Sequence, residues 1–202
     1  MRAFEQIRND VCYHNLDVKI IGTGGGFNYA AHGVTHHTIE DLAIMSTLPH
    51  MTVVAPAYAW EAKEATQAIL RSEGPAYLRL GKSPAENYHK PHFDFALGKG
   101  FVIRDGRDVL LIITSNILDT ALLVADRIKN QTGKSTCVIS MPTLKPLDTK
   151  LILEKTPKAK IVVTLEEHSL YGGLGSSVAM LLGQSATAKT PLMCCGIADR
   201  FV

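Results

Sequence analysis

Apolar residues in this chain alternate between a spacing near 3.6 and short unbroken runs, which predicts helices and strands in turn. Phe4, Ile7 and Val11 share a helical spacing over residues 3–11, and residues 18–21 form a short strand feeding Gly22-Thr23-Gly24-Gly25-Gly26. A helix is expected over residues 38–47, with Ile39, Leu42, Ala43 and Met45 as candidates for burial. Residues 52–55 read as a strand stopped by Pro56, residues 57–72 as a helix ended by Gly74-Pro75, and residues 76–80 as the next strand. The pattern then lapses. Residues 81–91 carry Lys, Pro, Asn and His without a period and read as a linker, continued by an extended segment near 98–104.

A second series begins at Asp108. Residues 109–114 are a continuous apolar strand, as expected for burial on both faces. Leu118, Ala121, Leu122, Ala125 and Ile128 form one stripe of a helix over 118–130, with Gly133 past its end. Residues 136–140 are a strand, Asp148 caps a short helix reaching 154, and residues 161–165 are a strand. A helix opened by glycines covers 172–183, and the last strand covers 192–196. Such alternation implies parallel sheets with right-handed crossovers. The expected fold is α/β: two consecutive three-layer units with mainly parallel sheets, over residues 1–81 and 98–202, joined by a linker at 82–97. The chain starts inside a helical pattern and stops just after a strand, so a fragment or shortened subunit is expected.

Composition narrows the function classes. Of 202 residues 46% are hydrophobic, enough for one large or two small cores. The net charge is +2, with Lys and Arg scattered rather than striped, which excludes an electrostatic footprint for nucleic acid. No apolar run is long enough to span a bilayer, and the first residues lack an apolar signal region. Cys12, Cys137, Cys194 and Cys195 include no Cys-x-x-Cys spacing, and the adjacent pair reads as buried thiols of a reducing compartment. A soluble, cytoplasmic protein is expected.

The chemistry concentrates between Gly22 and Asp41, where a strand hands over to a helix. The glycine run is not Gly-x-Gly-x-x-Gly, and no Gly-Lys-Ser/Thr follows, so its glycines read as permitting a tight turn beside another surface. In Thr35-His36-His37 only Glu40 and Asp41 could complete a metal site, so none is expected. A histidine at such a turn can donate to anionic or hydroxyl oxygens, which suits a polyol phosphate and makes His36 the candidate. Glu166-Glu167-His168 resembles a catalytic cluster but is expected to be structural, facing a domain or subunit interface.

Gly33-Val34-Thr35-His36-His37 with Ile39-Glu40 resembles the Gly-Pro-Thr-His-Gln and Ile-Glu pattern of the transketolase family. Leu48-Pro49-His50, Ala55-Pro56-Ala57 and Gly74-Pro75-Ala76-Tyr77-Leu78-Arg79-Leu80-Gly81-Lys82 resemble further family segments in the right order. Val163 to His168 followed by Gly172-Gly173-Leu174-Gly175-Ser176 is similar to the start of the family's C-terminal domain helix. The resemblance covers nearly the whole chain. It implies the second half of a pyrimidine-binding domain plus the C-terminal domain, as in the C-terminal subunit of split transketolases.

That resemblance implies transfer of two-carbon ketol units between sugar phosphates, on thiamine diphosphate with Mg2+. His36 matches the family histidine near cofactor and substrate and is the implied catalytic residue. Lys82 falls where the family often has a phosphate-binding arginine, with Arg79 as the nearby alternative; a lysine holds phosphate as a point charge. His32 stands where many members have an aspartate that contacts a substrate hydroxyl, and Gly24 where many have a phosphate-binding histidine. No Gly-Asp-Gly metal segment is present, and the activating glutamate and the ring-stacking aromatics of the family belong upstream of residue 3. Weak or no cofactor binding by this chain alone is therefore expected, with a homodimer or an N-terminal subunit completing the site. Deoxyxylulose-phosphate synthase, the beta subunit of a 2-oxo acid dehydrogenase, and a non-catalytic assembly or regulatory module stay open as alternatives. The Thr-His-His turn favours transketolases over the dehydrogenases.

Overall fold

The computed structural model describes residues 2–82, 88, 94–186 and 189–202. Most of the expected linker, residues 83–87 and 89–93, lies outside them. The chain opens with α1 (Phe4–Gln6), which continues as a π-helix over Ile7–Cys12. Then follow β1 (Lys19–Thr23), α2 (Asp41–Ser46), β2 (Thr52–Val54), α3 (Ala59–Arg71) and β3 (Ala76–Leu80). The later elements are β4 (Phe101–Arg104), β5 (Val109–Ile113), α4 (Leu118–Thr132), β6 (Thr136–Ser140), β7 (Thr143–Lys145), α5 (Thr149–Lys155), β8 (Ile161–Ser169), α6 (Leu174–Gln184) and β9 (Leu192–Ile197).

Two mainly parallel sheets result, as the alternation of elements requires. The first has the order β1-β3-β2-β7 and the second β4-β6-β5-β8-β9. Local signals act as expected. The Asp148 carboxylate accepts the Leu151 N–H at 3.0 Å and caps α5, while Gly133 ends α4 at φ 71°. Three features differ from the sequence pattern. β7 is only three residues long between Pro142 and Pro146, too short to show a period, and it crosses over to pair antiparallel with β2. β4 pairs antiparallel with β6 as an edge strand. β8 runs four residues beyond the expected end, carrying Glu166, Glu167 and His168 along the strand. Cys194 and Cys195 are half-buried on edge strand β9 rather than buried, and all four cysteines are free thiols.

The two units share one core. Leu42, Val53 and Tyr77 belong to the same buried cluster as Leu110, Ile112, Ile139 and Val162. Each such side chain contributes about 1.5–3 kcal/mol by leaving water, so separating the units would expose a large apolar surface. Backbone bonds stitch the junction as well. The Ala55 carbonyl accepts the Ser115 N–H at 2.9 Å, and the Ala55 N–H donates to the Pro142 carbonyl at 2.7 Å. The carboxyl ends of β2 and β5 therefore meet, and the loops that leave them open onto one cleft.

Glu61 lies at this junction, near the start of α3, with 0% exposure. One of its oxygens accepts the Ala57 N–H at 2.7 Å, and the Ser140 hydroxyl lies against the same carboxyl. Burial outweighs both contacts and pushes the carboxyl up to about 7. A raised folded-state value favours the protonated form, so the stabilisation is full below the ordinary carboxyl range and is lost as pH rises through about 7. Between those limits the chain is expected to lose about 3 kcal/mol, and Glu61→Gln, neutral at every pH, is expected to abolish that slope. Urea unfolding at a series of pH values measures it; parallel curves for the two proteins would refute the assignment.

Candidate active site at the carboxyl ends of β1 and β3

β1 and β3 are parallel neighbours, paired from Lys19↔Ala76 to Thr23↔Leu80, so their following loops leave side by side. In open parallel sheets this edge is where ligands bind. The loop after β1 is pinned at both ends. The Gly24 N–H donates to the Leu80 carbonyl at 2.8 Å, and Gly26 and Thr38 exchange backbone bonds of 2.8 and 3.0 Å. The excursion between them holds a 3-10 turn at Ala30–His32 and a reversal at Gly33, φ 76°. The loop after β3 is tied to it by the Lys82 N–H, which donates to Asn28 Oδ1 at 2.8 Å.

These ties gather four side chains. The Lys82 ammonium lies 3.5 Å from the centroid of the Tyr29 ring, a cation–π contact. The His32 and His36 rings are 5.1 Å apart, and they lie 6.0 and 6.3 Å from the Tyr29 ring. Lys82 next to Tyr29 also holds that phenol below its ordinary range. Thr35 Oγ1 is 3.0 Å from His36 Nδ1, which orients the imidazole and leaves Nε2 available. His32, His36 and Lys82 are all exposed to solvent. No carboxylate contacts these rings or the lysine among the described residues. The cluster is suited to an anion flanked by hydroxyls.

Arg79 lies beneath this loop and faces the other way. It is 1% exposed; its guanidinium donates to Asp41 Oδ1 at 3.3 Å and to the Glu167 carbonyl at 2.9 Å. Asp41 also accepts the Tyr77 hydroxyl at 2.7 Å. Gly25 and Gly26 leave the room that this guanidinium and Glu167 occupy. A Cβ on Gly25 would lie 1.8 Å from Arg79 Nε, and one on Gly26 would lie 2.0 Å from Glu167 Oε2. Glu167 in turn accepts the Phe27 N–H at 3.0 Å, reaching from the second unit to the loop of the first.

The rest of the acidic cluster is structural. Glu166 accepts the Leu174 and Gly175 N–H groups, both at 2.7 Å, at the start of α6. His168 Nδ1 donates to the Ser169 carbonyl at 2.8 Å while Nε2 accepts the Ala43 N–H at 3.2 Å. That pair of bonds requires the neutral imidazole, and burial lowers its affinity for a second proton. No group of three or more potential metal ligands exists among the described residues. The buried carboxylates near the loop are already engaged, so the described residues do not fit the metal of a diphosphate cofactor.

Of the residues expected from sequence, His36, His32 and Lys82 are brought together, and Arg79 is kept apart under the loop. His37 packs edge-on against Phe27 at 4.9 Å rather than joining the cluster. Asn28 and Tyr29 were not foreseen. Their only sequence signal is an amide and an aromatic two and three positions after a glycine run.

No helix among the described residues is long and apolar enough to cross a membrane. Residues 1–86 match the family described as transketolase, pyrimidine binding domain, and residues 98–202 match transketolase, C-terminal domain. A 6-deoxy-6-sulfo-D-fructose transketolase subunit from Clostridium sp. (strain MSTE9) is 36% identical over 200 residues, covering 99% of this chain and 61% of the relative. An apulose-4-phosphate transketolase subunit from Phocaeicola vulgatus is 32% identical, covering 100% of this chain and 64% of the relative. Among solved structures, a split-gene transketolase described as an inactive beta4 tetramer superposes with a TM-score of 0.88 at 38% identity, covering 98% of this chain and 63% of the other. The chain thus spans somewhat more than three fifths of these relatives' length. Two family matches that together cover nearly every residue, on a fold with the same two sheets, place this chain in the transketolase family.

Proposed function

We propose that this chain is the C-terminal portion of a split transketolase-like enzyme that transfers two-carbon ketol units between sugars bearing a terminal anion. The observation that carries the reading is the cluster of His36, His32 and Lys82, all exposed, around the half-buried Tyr29 at the carboxyl ends of β1 and β3, with no acidic contact among the described residues. Thiamine diphosphate, on which the family depends, supplies the carbanion chemistry. In this reading its metal is held outside the described residues, which include no group of three or more potential metal ligands. His36 Nε2 holds or moves a proton at a sugar oxygen, and Lys82 holds the anionic end. Both named relatives act on sugars that carry a tetrahedral oxyanion, sulfonate in one and phosphate in the other.

The test is reconstitution. Mixed with an N-terminal transketolase subunit, thiamine diphosphate and Mg2+, the chain is expected to transfer a ketol unit between sugar phosphates; alone it is expected to be inactive. In the complex, Lys82→Ala is expected to raise KM for a phosphorylated acceptor about tenfold or more, the scale of one lost charge-assisted contact, while Lys82→Arg retains most affinity. An unchanged KM in Lys82→Ala would remove Lys82 from the site.

A further inference from the structure

The loop that carries His32 and His36 belongs to the first unit, yet the carboxyl end of β8 in the second unit grips it. Pairing of β8 with β5 ends at Ile113↔Leu165, and the strand runs on to Ser169. Three consecutive residues of that extension each bind the first unit. Glu167 Oε2 accepts the Phe27 N–H at 3.0 Å, where the loop starts. His168 Nε2 accepts the Ala43 N–H of α2 at 3.2 Å. The Ser169 N–H donates to the Ile39 carbonyl at 2.7 Å, where the loop ends.

Of the three, Glu167 is the contact that leads to the imidazoles. A run of backbone hydrogen bonds starts at the residue it holds. The Phe27 carbonyl accepts the Ala30 N–H at 2.9 Å, the Ala30 carbonyl accepts the Gly33 N–H at 3.1 Å, and the Gly33 carbonyl accepts the His36 N–H at 3.0 Å. His32 lies in the 3-10 turn inside this run. Each turn hangs on the one before it, so the carboxylate that fixes Phe27 fixes the first link. The Phe27 ring also packs edge-on against His37, the neighbour of His36, at 4.9 Å. Gly26 makes the approach possible, because a Cβ there would lie 2.0 Å from Glu167 Oε2. A carboxylate is a stronger acceptor for a backbone N–H than a neutral oxygen, which suits it to hold an exposed loop in one place.

We propose that Glu167 is a positioning residue for the ketol transfer: through this carboxylate the second unit sets the loop that carries His32 and His36. The proposal rests on the reading above for the reaction, whereas the hold of Glu167 on the loop is a property of this chain alone.

Amide hydrogen exchange of the chain and kinetics of the reconstituted complex test the two parts separately. In Glu167→Ala the Phe27 amide should exchange about tenfold faster or more, the scale of one lost charge-assisted bond. The Ile112 amide in β5 should exchange as before, which also shows that the variant is folded. Glu167→Gln keeps an oxygen acceptor and should keep most of the Phe27 protection. In the complex, Glu167→Ala should lower kcat about tenfold, as a small displacement of a reacting group does, and Glu167→Gln should recover most of it. Added to His36→Ala, Glu167→Ala should cost no further kcat, because it acts through that imidazole. Unchanged Phe27 exchange in Glu167→Ala, or equal losses of kcat with and without His36, would overturn the proposal and leave the proposed function standing. Faster Phe27 exchange in Glu167→Ala, with no ketol transfer by the unaltered chain and any N-terminal subunit, would overturn the reaction and leave the hold of Glu167 on the loop standing.

Discussion

Replacing His36 by Ala is expected to lower kcat of the reconstituted enzyme about 100-fold or more, with little change in KM for the anionic end of the sugar. The size follows from the contribution of one positioned acid–base group, which is 10²–10⁴-fold. The direction of the split follows from geometry. His36 is oriented through Thr35 at 3.0 Å, stands against His32 at 5.1 Å, and is exposed at the edge where the two parallel strands end. It supports no part of the core, so its loss should leave the unfolding midpoint where it was. Steady-state kinetics on the complex, paired with urea unfolding of the chain, measure both quantities. A variant with normal kcat would show that the imidazole only lines the channel.

Arg79→Met should produce the largest loss of stability of any single change near the site, about 3–5 kcal/mol. The guanidinium is sealed with Asp41, and removing it strands that carboxylate in the core with only the Tyr77 hydroxyl as partner. It also removes the bond to the Glu167 carbonyl, which links β3 of the first unit to β8 of the second. Exposed ion pairs such as Lys158–Glu154 contribute far less, because water competes for both charges. Arg79→Met combined with Asp41→Leu should recover part of the loss, since an apolar pair leaves no unpaired charge. Urea unfolding of the three variants decides it. If Arg79→Met instead unfolded like the unaltered chain and showed only a raised KM, the guanidinium would be a substrate ligand after all.

The fold was largely legible because its signals are local. Unbroken apolar runs such as Val109 to Ile113 become strands buried on both faces, and Asp148 and Gly133 cap and stop helices at the positions their chemistry dictates. β7 was not legible. Three residues between prolines carry no period, and the strand forms because tertiary contacts bring it to β2. The same division holds in the site. His36 was visible as a titratable residue at a strand-to-helix turn, and His32 and Lys82 through the family resemblance alone. The sequence left Arg79, inside the strand over 76–80, open as the alternative to Lys82, which follows that strand. Burial decides between them, and burial is set by the glycine loop lying over Arg79. Glu167 lies in the second unit and reaches the loop only because β8 runs past its pairing with β5.

In the proposed function this chain forms one wall of a cofactor cavity and a partner forms the other. Isothermal titration of thiamine diphosphate with Mg2+, first into the chain alone and then into the chain mixed with an N-terminal transketolase subunit, tests this division. No saturable heat is expected in the first case and one binding event per pair in the second. Tight, stoichiometric binding by the chain alone would contradict it.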